Sequence, residues 1–332
     1  MKGLLMKKLL IKNKYCKSTL AVMAALVMAA GVLLTGCTES NTASDKEDNT
    51  KVNHDYDVKL LSYDKDDTDY DEPTDFNKQQ ENRSYGRVEE ISYYSPTLNT
   101  MRTANVFLPK DYDESKSYPV VYLMHGMGGN YMDYKNLDAL NIAQNAVYDY
   151  NRNDMLLVSF TVFTDVSGGV ESDYGFSELT TRYDACENDV INALIPYINS
   201  HYSTKTGREY TAVAGFSLGG REALYLCFAH PDIFGYAGAF APVGGVVDTG
   251  LDEIAYGNRG YLLEELVPEG KEAPLLTLIV TGDEDPYCRL SSEYYSKYMT
   301  SHSIEHIFYY RPGGHEAVVW NNGLYNFLRR IF

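Results

Sequence analysis

The chain has 332 residues, 44% of them hydrophobic, which is enough for one large α/β domain with extensions or for two small domains. It carries 46 acidic residues against 29 basic ones, and its formal net charge is −17. This acidity argues against nucleic acid or another anionic polymer as a partner bound through bulk electrostatics. Neutral polysaccharides and small esters remain possible partners.

Residues 1–37 have the pattern of a secretory signal. A basic stretch with six lysines precedes an apolar run from Thr19 to Leu34, and small residues then lead to Cys37. The ending, LTGC, resembles the lipobox of bacterial lipoproteins, which implies cleavage before Cys37 and a lipid on that residue. An uncleaved membrane anchor is the alternative, but the run is shorter than the roughly 20 residues that a spanning helix needs. Removing six lysines and no acidic residue leaves the remainder at −23.

Residues 38–84 are polar and acidic, with few large aliphatic side chains. Such a composition cannot bury enough apolar surface to offset the entropy lost on ordering, so we predict a flexible tether that precedes a folded domain over 85–332. The aspartate run DKDDTDYD could suggest a calcium loop. It fails the EF-hand pattern, because Asp69 stands where the sharp turn needs glycine and Asp75 where the bidentate glutamate belongs.

From residue 86 onward, apolar runs that close on glycine or proline are interspersed with segments of helical periodicity. The predicted strands are 87–95, 102–109, 118–129 with the glycine-rich turn that ends it, 154–163, 210–215, 236–244, 274–282 and 306–314. The predicted helices are 181–202, 218–231 and 317–332. Strands that alternate with helices indicate an α/β fold, with a mostly parallel central sheet flanked by helices on both faces.

Three of the predicted strand ends carry residue types that acyl transfer requires. Ser217 stands in GFSLG, the G-x-S-x-G pattern of a serine on a sharp turn between a strand and a helix. Asp285 follows the strand 274–282, and His315 follows the strand 306–314. Reactive loops in such sheets lie at the carboxyl ends of the strands, so we expect the three side chains to converge. Their order along the chain, Ser-Asp-His, is that of an α/β-hydrolase.

Each of these side chains has a chemical role in the predicted site. A serine hydroxyl becomes nucleophilic when a neighbouring imidazole takes its proton, a role we assign to His315 acting on Ser217. Asp285 would hold the imidazole in the right tautomer and stabilise its charged form. Asp283 and Glu284 share this loop and are the alternatives for the acid.

The negative charge that develops on the reacting carbonyl oxygen needs preorganised donors. The backbone N–H of Leu218 is one candidate, at the start of a predicted helix where the dipole also favours negative charge. The N–H of Met127 in the HGMGG loop is the other, since Gly126 allows close approach. We therefore predict an oxyanion hole built from Met127 and Leu218.

Neither a metal site nor a cofactor is expected. His302 and His306 are four residues apart, but they straddle the start of a strand and lack the glutamate of an HExxH motif. Beyond the signal and lipidation site the cysteines are Cys186, Cys227 and Cys288, an odd number at wide spacing with no C-x-x-C pair. Buried thiols are therefore expected instead of a disulfide framework or a zinc site.

Four segments together resemble the esterase D-like α/β-hydrolases, and carbohydrate esterase family 1 in particular: RTANVFLPKDYDESKSYPVVYLMHGMGGN, VAGFSLGGREALYLCFAHPDIFGYAGAFAP, TGDEDPY and GGHEAVVWNNGLYNFL. The resemblance covers residues 86–332 and implies the α/β-hydrolase fold. It also implies Ser217 as nucleophile, His315 as base, Asp285 as acid and an oxyanion contribution from the HG loop. Leu218 stands where this group often has methionine, a change of little consequence for a backbone donor.

The resemblance further implies a serine carboxylester hydrolase that removes feruloyl or acetyl groups from plant cell-wall xylan or its fragments. Siderophore esterases and formylglutathione thioesterases belong to the same group and are alternatives. A surface lipoprotein that binds carbohydrate without chemistry is another. A lipid on Cys37 would hold the protein at the extracellular face of a bacterial cell membrane.

Aromatic side chains are candidates for the substrate cleft, because ring faces suit both sugars and phenolic groups. The candidates are Tyr131, Tyr134, Tyr174 and Trp320. Ordinary packing is the alternative role for each of them.

Overall fold

The computed structural model describes residues 69–246 and 273–332. The predicted signal segment 1–37, its lipid site Cys37 and the tether residues 38–68 lie outside these ranges. Within them, eight strands form one sheet: β1 (Arg87–Ser95), β2 (Thr100–Leu108), β3 (Val120–Met124), β4 (Leu156–Phe160), β5 (Thr211–Phe216), β6 (Tyr236–Phe240), β7 (Leu276–Gly282) and β8 (Ile307–Arg311).

The strands lie in the order β1-β2-β4-β3-β5-β6-β7-β8. β1 and β2 form an antiparallel hairpin, and β2 also pairs antiparallel with β4. All other neighbours are parallel, which confirms the predicted mostly parallel sheet. Since β3 to β8 run in one direction, the loops that follow β3, β5, β7 and β8 lie at the same edge of the sheet.

The α-helices of the described ranges are α1 (Asp133–Asn136), α2 (Ala139–Tyr150), α3 (Phe176–Asp184), α4 (Cys186–Asp189), α5 (Ile195–His201), α6 (Leu218–Ala229), α7 (Arg289–Ser301) and α8 (Ala317–Leu328). None of these helices is both long enough and apolar enough to span a lipid bilayer.

Helices cover both faces of the sheet, as predicted. In β3, the side chains of Val120 and Tyr122 belong to one apolar cluster, and those of Val121 and Leu123 to the other. Helices α3 to α7 contribute to the first cluster, and α1, α2 and α8 to the second. Burial on both faces explains why these strands are nearly continuous apolar runs in the sequence.

Helices α2 and α7 are not among the predicted elements. The buried positions of α7 include Ser291, Ser292, Tyr295, Ser296 and Met299, which recur at helical spacing. Three of these five residues are serines, so the apolar periodicity that indicates a helix is weak here. The hydroxyls of Ser291 and Ser292 donate to main-chain carbonyl groups, and these hydrogen bonds compensate for the loss of water on burial.

The predicted helix 181–202 corresponds to α3, α4 and α5, which follow one another with little interruption. A wide π turn over Val190–Leu194 separates α4 from α5. Pro196 stands at the start of α5, and its ring has no N–H to donate to the preceding turn. The break in the helix therefore lies directly before its proline, as helix geometry favours.

The boundary of the folded domain differs from the predicted one. Residues 69–84, assigned to the flexible tether, pack on the face that carries α2 and α8. The ring of Tyr70 stacks on Tyr309 with centroids 4.1 Å apart, and Phe76 is buried edge-on to Tyr325 at 5.4 Å. Two aromatic rings within a polar segment supply the apolar surface that its average composition lacks.

A half-buried ion pair adds to this packing. The carboxylate of Glu72 accepts hydrogen bonds from Arg311 at 2.7 and 3.2 Å and another from Asn322. Burial raises the pKa of Glu72, but the bonds from Arg311 and Asn322 outweigh it and hold the pKa below its usual range. The carboxylate therefore stays ionised and paired at neutral pH.

We expect Phe76→Ala to lower the free energy of unfolding by about 3 kcal/mol, because it removes a buried ring from the second core cluster. Urea denaturation followed by circular dichroism measures this change. Lys78→Ala is the control, since 65% of the lysine side chain is exposed, and it should change the value by less than about 0.5 kcal/mol. Equal stability of the two variants would mean that residues 69–84 do not contribute to the fold.

Candidate active site

Ser217 lies at the turn between β5 and α6, where the backbone packs too closely for side chains. A Cβ on Gly215 would lie 2.3 Å from the carbonyl oxygen of Gly219, and a Cβ on Gly219 would lie 2.1 Å from that of Met124. Cβ atoms do not approach other atoms so closely, so both positions require glycine. The turn is therefore pressed directly against the end of β3.

The backbone of Ser217 is strained, with φ 57° and ψ −120°, a conformation that residues other than glycine rarely adopt. Its N–H donates to the carbonyl of Phe240 at 2.9 Å, and its own carbonyl accepts from the N–H of Val243 at 3.2 Å. These bonds to β6 and the loop after it hold the turn. The side chain is left half-buried at the carboxyl edge of the sheet, as the G-x-S-x-G pattern predicts.

A chain of two hydrogen bonds links three side chains that are distant in sequence. His315 Nε2 lies 3.0 Å from Ser217 Oγ, and His315 Nδ1 lies 2.8 Å from Asp285 Oδ2. Because a carboxylate can only accept, Nδ1 carries the ring proton and Nε2 is left to accept the hydroxyl proton. The structure thus brings together all three predicted side chains in an arrangement that suits acyl transfer.

The carboxylate of Asp285 is 3% exposed and held by further donors. The N–H groups of Tyr287 and Cys288 donate to its Oδ1 at 2.8 and 2.9 Å. Burial raises the pKa of Asp285, but the hydrogen bonds from His315 and from the two backbone groups outweigh burial and lower the pKa. The carboxylate is therefore ionised when it pairs with the imidazole.

The two other acids of this loop lie apart from the imidazole. Asp283 and Glu284 are both exposed, and Asp283 Oδ1 accepts from the N–H of Gly313 at 2.9 Å. Of the three candidate acids, Asp285 is the one that bonds to His315.

The HG loop, residues 125–129, packs on the serine. A Cβ on Gly126 would lie 3.0 Å from the Cβ of Ser217. His125 is fully buried below the loop, with Nδ1 2.7 Å from the carbonyl oxygen of Gly126 and Nε2 accepting from the N–H of Val162 at 2.8 Å. These two contacts place the ring proton on Nδ1, and burial lowers the pKa of His125 to about 4. His125 is therefore a neutral support of the loop.

Both predicted oxyanion donors belong to segments that flank Ser217. Leu218 is the first residue of α6, so its N–H has no acceptor within the helix. Met127 follows Gly126 in the HG loop, and its side chain is 56% exposed. Both residues therefore lie next to segments that pack around Ser217, and their role as oxyanion donors stays a prediction.

Two aromatic rings contact the imidazole of His315. Trp320, a predicted cleft residue, lies edge-on to it with centroids 5.4 Å apart and stacks on Phe216 at 4.3 Å. Tyr287 was not predicted, yet it lies edge-on to the same imidazole at 5.8 Å and is 59% exposed. Its signal in the sequence is its position two residues after Asp285. Tyr287 is exposed and Trp320 is half-buried, and ring faces of this kind suit contact with a planar group.

The predicted cleft role of Tyr134 is wrong. The residue is 2% exposed, and its hydroxyl donates to the carbonyl of Met124 at 3.3 Å. Its ring packs against Phe216 with centroids 5.6 Å apart. Tyr134 is therefore a core residue beneath the serine turn, because α1 directs this side chain inward.

Tyr131 and Tyr174 are half-buried, and their hydroxyl groups bond to acids outside the hydrogen-bonded chain. The hydroxyl of Tyr131 donates to Glu90 at 3.3 Å. That of Tyr174 donates to Asp165 at 2.6 Å, and the guanidinium of Arg182 lies 4.0 Å from the centre of its ring. A cleft role for these two tyrosines stays a prediction.

The cysteines of the described ranges, Cys186, Cys227 and Cys288, are free and buried, which confirms the expected buried thiols. Cys288 shares a cluster with Asp285 and His315, in which one ligand-type atom of each lies within 4.8 Å of the others. Asp285 and His315 already bond to each other, so this cluster coincides with the hydrogen-bonded chain. Burial raises the pKa of Cys288 and keeps it a neutral thiol.

Known proteins are similar to this chain in fold or in sequence. The family model described as "Putative esterase" matches residues 95–331. A CE1 ferulic acid esterase from the anaerobic fungus Anaeromyces mucronatus is 32% identical, with a TM-score of 0.73 over 79% of this chain and 97% of that one. That enzyme is also known in complex with ferulic acid. An S-formylglutathione hydrolase from Staphylococcus aureus shares the fold at 17% identity and a TM-score of 0.58, over 74% of this chain and 98% of that one.

Among curated proteins, an endo-1,4-beta-xylanase/feruloyl esterase of Xylanibacter ruminicola is 28% identical over 171 residues. The match covers 49% of this chain and 23% of that protein, so the chain spans less than a quarter of this relative's length.

The sheet topology and these matches define the class of the protein, which has the α/β-hydrolase fold. The chain belongs to the esterase family, and the predicted resemblance to carbohydrate esterase family 1 is confirmed.

Proposed function

We propose that this esterase uses Ser217, His315 and Asp285 as a catalytic triad and removes feruloyl or acetyl groups from plant cell-wall xylan or its fragments. The observation that carries the proposal is the hydrogen-bonded chain through His315, with contacts of 3.0 Å to Ser217 and 2.8 Å to Asp285. These distances are within the reach that proton transfer between the groups requires.

The reaction follows from the proton positions. His315 Nε2 takes the hydroxyl proton as Ser217 Oγ forms a bond to the ester carbonyl carbon, and Asp285 stabilises the imidazolium. When the bond from that carbon to the leaving oxygen breaks, Nε2 returns the proton to the departing alcohol. Water then gives a proton to Nε2 as its oxygen bonds to the acyl carbon. The bond from that carbon to Ser217 Oγ breaks, Nε2 returns the proton to Oγ, and the carboxylic acid leaves.

The N–H groups of Met127 and Leu218 stabilise the oxygen that becomes negative in both steps. Backbone donors cost no reorganisation when the charge appears, because the fold has already placed them. The close packing of Gly126 on Ser217 supports this role, since it holds the HG loop beside the reacting carbon.

The relatives and the aromatic rings at the site favour a feruloyl group over an acetyl group. The Anaeromyces mucronatus enzyme is a ferulic acid esterase at 32% identity, and its complex holds ferulic acid. Tyr287 and Trp320 lie beside His315 and would contact an aromatic acid better than an acetyl group. The similarity to a xylanase/feruloyl esterase favours xylan as the polysaccharide. The negative charge of this chain is compatible with that choice, because it does not repel a neutral polysaccharide.

We expect Ser217→Ala to lower kcat for 4-nitrophenyl acetate by about 10⁴-fold or more, because no other group can form the acyl intermediate. The melting temperature should change by less than about 2 °C, as for other substitutions outside the core. Ser200→Ala, at an exposed serine, is the control and should keep full activity. A Ser217→Ala variant with more than a tenth of the wild-type kcat would exclude the proposed nucleophile.

We expect kcat/KM for methyl ferulate to exceed that for ethyl acetate by at least about tenfold, since the aromatic acid gains ring contacts that acetate cannot make. Tyr287→Ala should reduce this ratio, because it removes the exposed ring and keeps the N–H that bonds to Asp285. Release of acetate from acetylated xylan is measured in parallel. Rapid release of acetate with no cleavage of methyl ferulate would show that the acyl group is acetyl and that the feruloyl proposal is wrong.

We also propose that Cys37 carries a lipid and holds the enzyme at the extracellular face of a bacterial cell membrane, a proposal that the LTGC ending supports. In a bacterial host that processes lipoproteins, the wild type should fractionate with membranes, with the lipid detected on Cys37 by mass spectrometry. Cys16→Ser lies in the segment to be removed and should behave as wild type. Cys37→Ser should yield no lipidated peptide, and a wild-type protein without lipid would refute the proposal.

A further inference from the structure

Three donors converge on the carbonyl oxygen of Gly126 in the HG loop. His125 Nδ1 lies 2.7 Å from it, the hydroxyl of Tyr183 lies 2.8 Å away, and the N–H of Gly129 closes the turn at 3.2 Å. The two side chains are both fully buried, so they cannot easily move. The direction of this carbonyl is therefore determined by two buried side chains as well as by the turn itself.

A fixed carbonyl at Gly126 also fixes the N–H of Met127. The two groups belong to one planar peptide unit, and the peptide bonds of the described ranges are all trans, so the N–H points opposite to the C=O. The aim of the Met127 donor thus depends on the groups that hold Gly126, because the Met127 side chain is exposed and restrains it little.

The carboxyl group of Glu171 contacts both the turn of the HG loop and the hydroxyl of Tyr183. Its Oε2 accepts from the N–H of Gly128 at 2.6 Å, and its Oε1 lies 2.8 Å from the hydroxyl of Tyr183. Gly128 has φ +76°, as the third residue of a turn whose central peptide is flipped. One carboxyl group therefore holds the central peptide of the turn directly and the preceding peptide through Tyr183.

The hydroxyl of Tyr183 lies between the turn and the carboxyl group of Glu171. Tyr183 has one hydroxyl proton but lies 2.8 Å from two acceptors, the oxygens of Gly126 and Glu171. A proton on Oε1 would be donated to Tyr183, whose own proton is then free for Gly126, and every group is satisfied. Burial raises the pKa of Glu171, the hydrogen bonds from Tyr183 and Gly128 lower it, and the nearby carboxylate of Asp133 raises it, so that the net change is upward.

We propose that Glu171, acting through Tyr183 and Gly128, is a positioning residue that aims the N–H of Met127 at the oxyanion. The inference rests on the proposed function, in which Met127 is an oxyanion donor. Misplacing such a donor by about 1 Å weakens its bond to the transition state more than its bond to the substrate. Loss of Glu171 should therefore lower kcat and leave KM nearly unchanged.

The test compares Glu171→Ala, Glu171→Gln and Tyr183→Phe in the full chain, with 4-nitrophenyl acetate as substrate. We expect Glu171→Ala and Tyr183→Phe to lower kcat by about 10- to 100-fold, with KM within about twofold of wild type. Glutamine keeps one acceptor for Gly128 and one donor for Tyr183 without charge, so Glu171→Gln should retain kcat within about threefold.

Asp173→Ala is the matched control. It removes a carboxylate from the same short helical turn, where the group is exposed and accepts only the N–H of Val170 among its described bonds. This variant should keep the wild-type kcat, which separates the contact of Glu171 from a general effect of charge or of the segment.

Phenylboronic acid supplies a second readout, because its adduct with Ser217 places an oxygen in the oxyanion position as a transition-state analogue does. Its inhibition constant should rise in Glu171→Ala by about the factor by which kcat falls, and stay unchanged in Glu171→Gln. A purely structural role would instead raise KM or lower the melting temperature without this parallel.

Unchanged kcat in both Glu171→Ala and Tyr183→Phe would overturn the inference, as would equal losses in the alanine and glutamine variants. If Glu171→Ala does not fold, the kcat values of Tyr183→Phe and Glu171→Gln decide. A loss in Tyr183→Phe with kcat retained in Glu171→Gln supports the inference, and equal kcat values in the two variants overturn it. Failure of the proposed triad is distinguishable, since it would appear as activity retained in Ser217→Ala whatever the Glu171 variants show.

Discussion

The close approach of three backbone segments around Ser217 is the constraint on which the site depends. Gly215 and Gly219 leave no room for a Cβ on either side of the serine, and Gly126 of the HG loop packs onto the serine itself. Contacts between backbone atoms deform little, because no flexible side chain lies between them to adjust. The position of the hydroxyl is therefore determined by the sheet, and the strained φ of Ser217 persists because its neighbours hold it.

The parallel sheet converts this local constraint into a site. Ser217 and His315 are 98 residues apart, and Asp285 lies 30 residues before the histidine, yet the strands that precede them end at one edge. Burial of the Asp285 carboxylate would oppose its charge, but three donors compensate for the lost water. A buried and fully bonded acid leaves the imidazole with one orientation and one tautomer.

Polar groups behind the HG loop extend the same principle. Buried His125 and Tyr183 both contact the Gly126 carbonyl, so this polar network is almost inaccessible to water. In such surroundings each hydrogen bond is electrostatically stronger, and an unpaired group would be costly. The network therefore restrains the loop more firmly than an exposed turn would restrain itself, which is what a preorganised donor requires.

The N-terminal boundary of the folded domain shows that the average composition of a segment can be a misleading guide to whether it is ordered. Residues 69–84 have the polar composition typical of a tether, yet Tyr70 and Phe76 pack on the domain and Glu72 pairs with Arg311. A few contacts at definite positions can order a segment whose polar composition, taken as a whole, predicts a flexible chain. The partners of these residues come from β8 and α8, more than 200 positions away, so no local pattern reveals them.

The sequence by itself determined the strands, the sheet class and the three residues of the hydrogen-bonded chain, because apolar runs and turn motifs are local and the ends of parallel strands necessarily meet at one edge. It did not indicate α7, whose buried face carries serines, or the burial of Tyr134. Nor did it reveal the link from Glu171 through Tyr183 to the HG loop. Tertiary structure decided these features, since burial and pairing depend on which surfaces meet once the chain has folded.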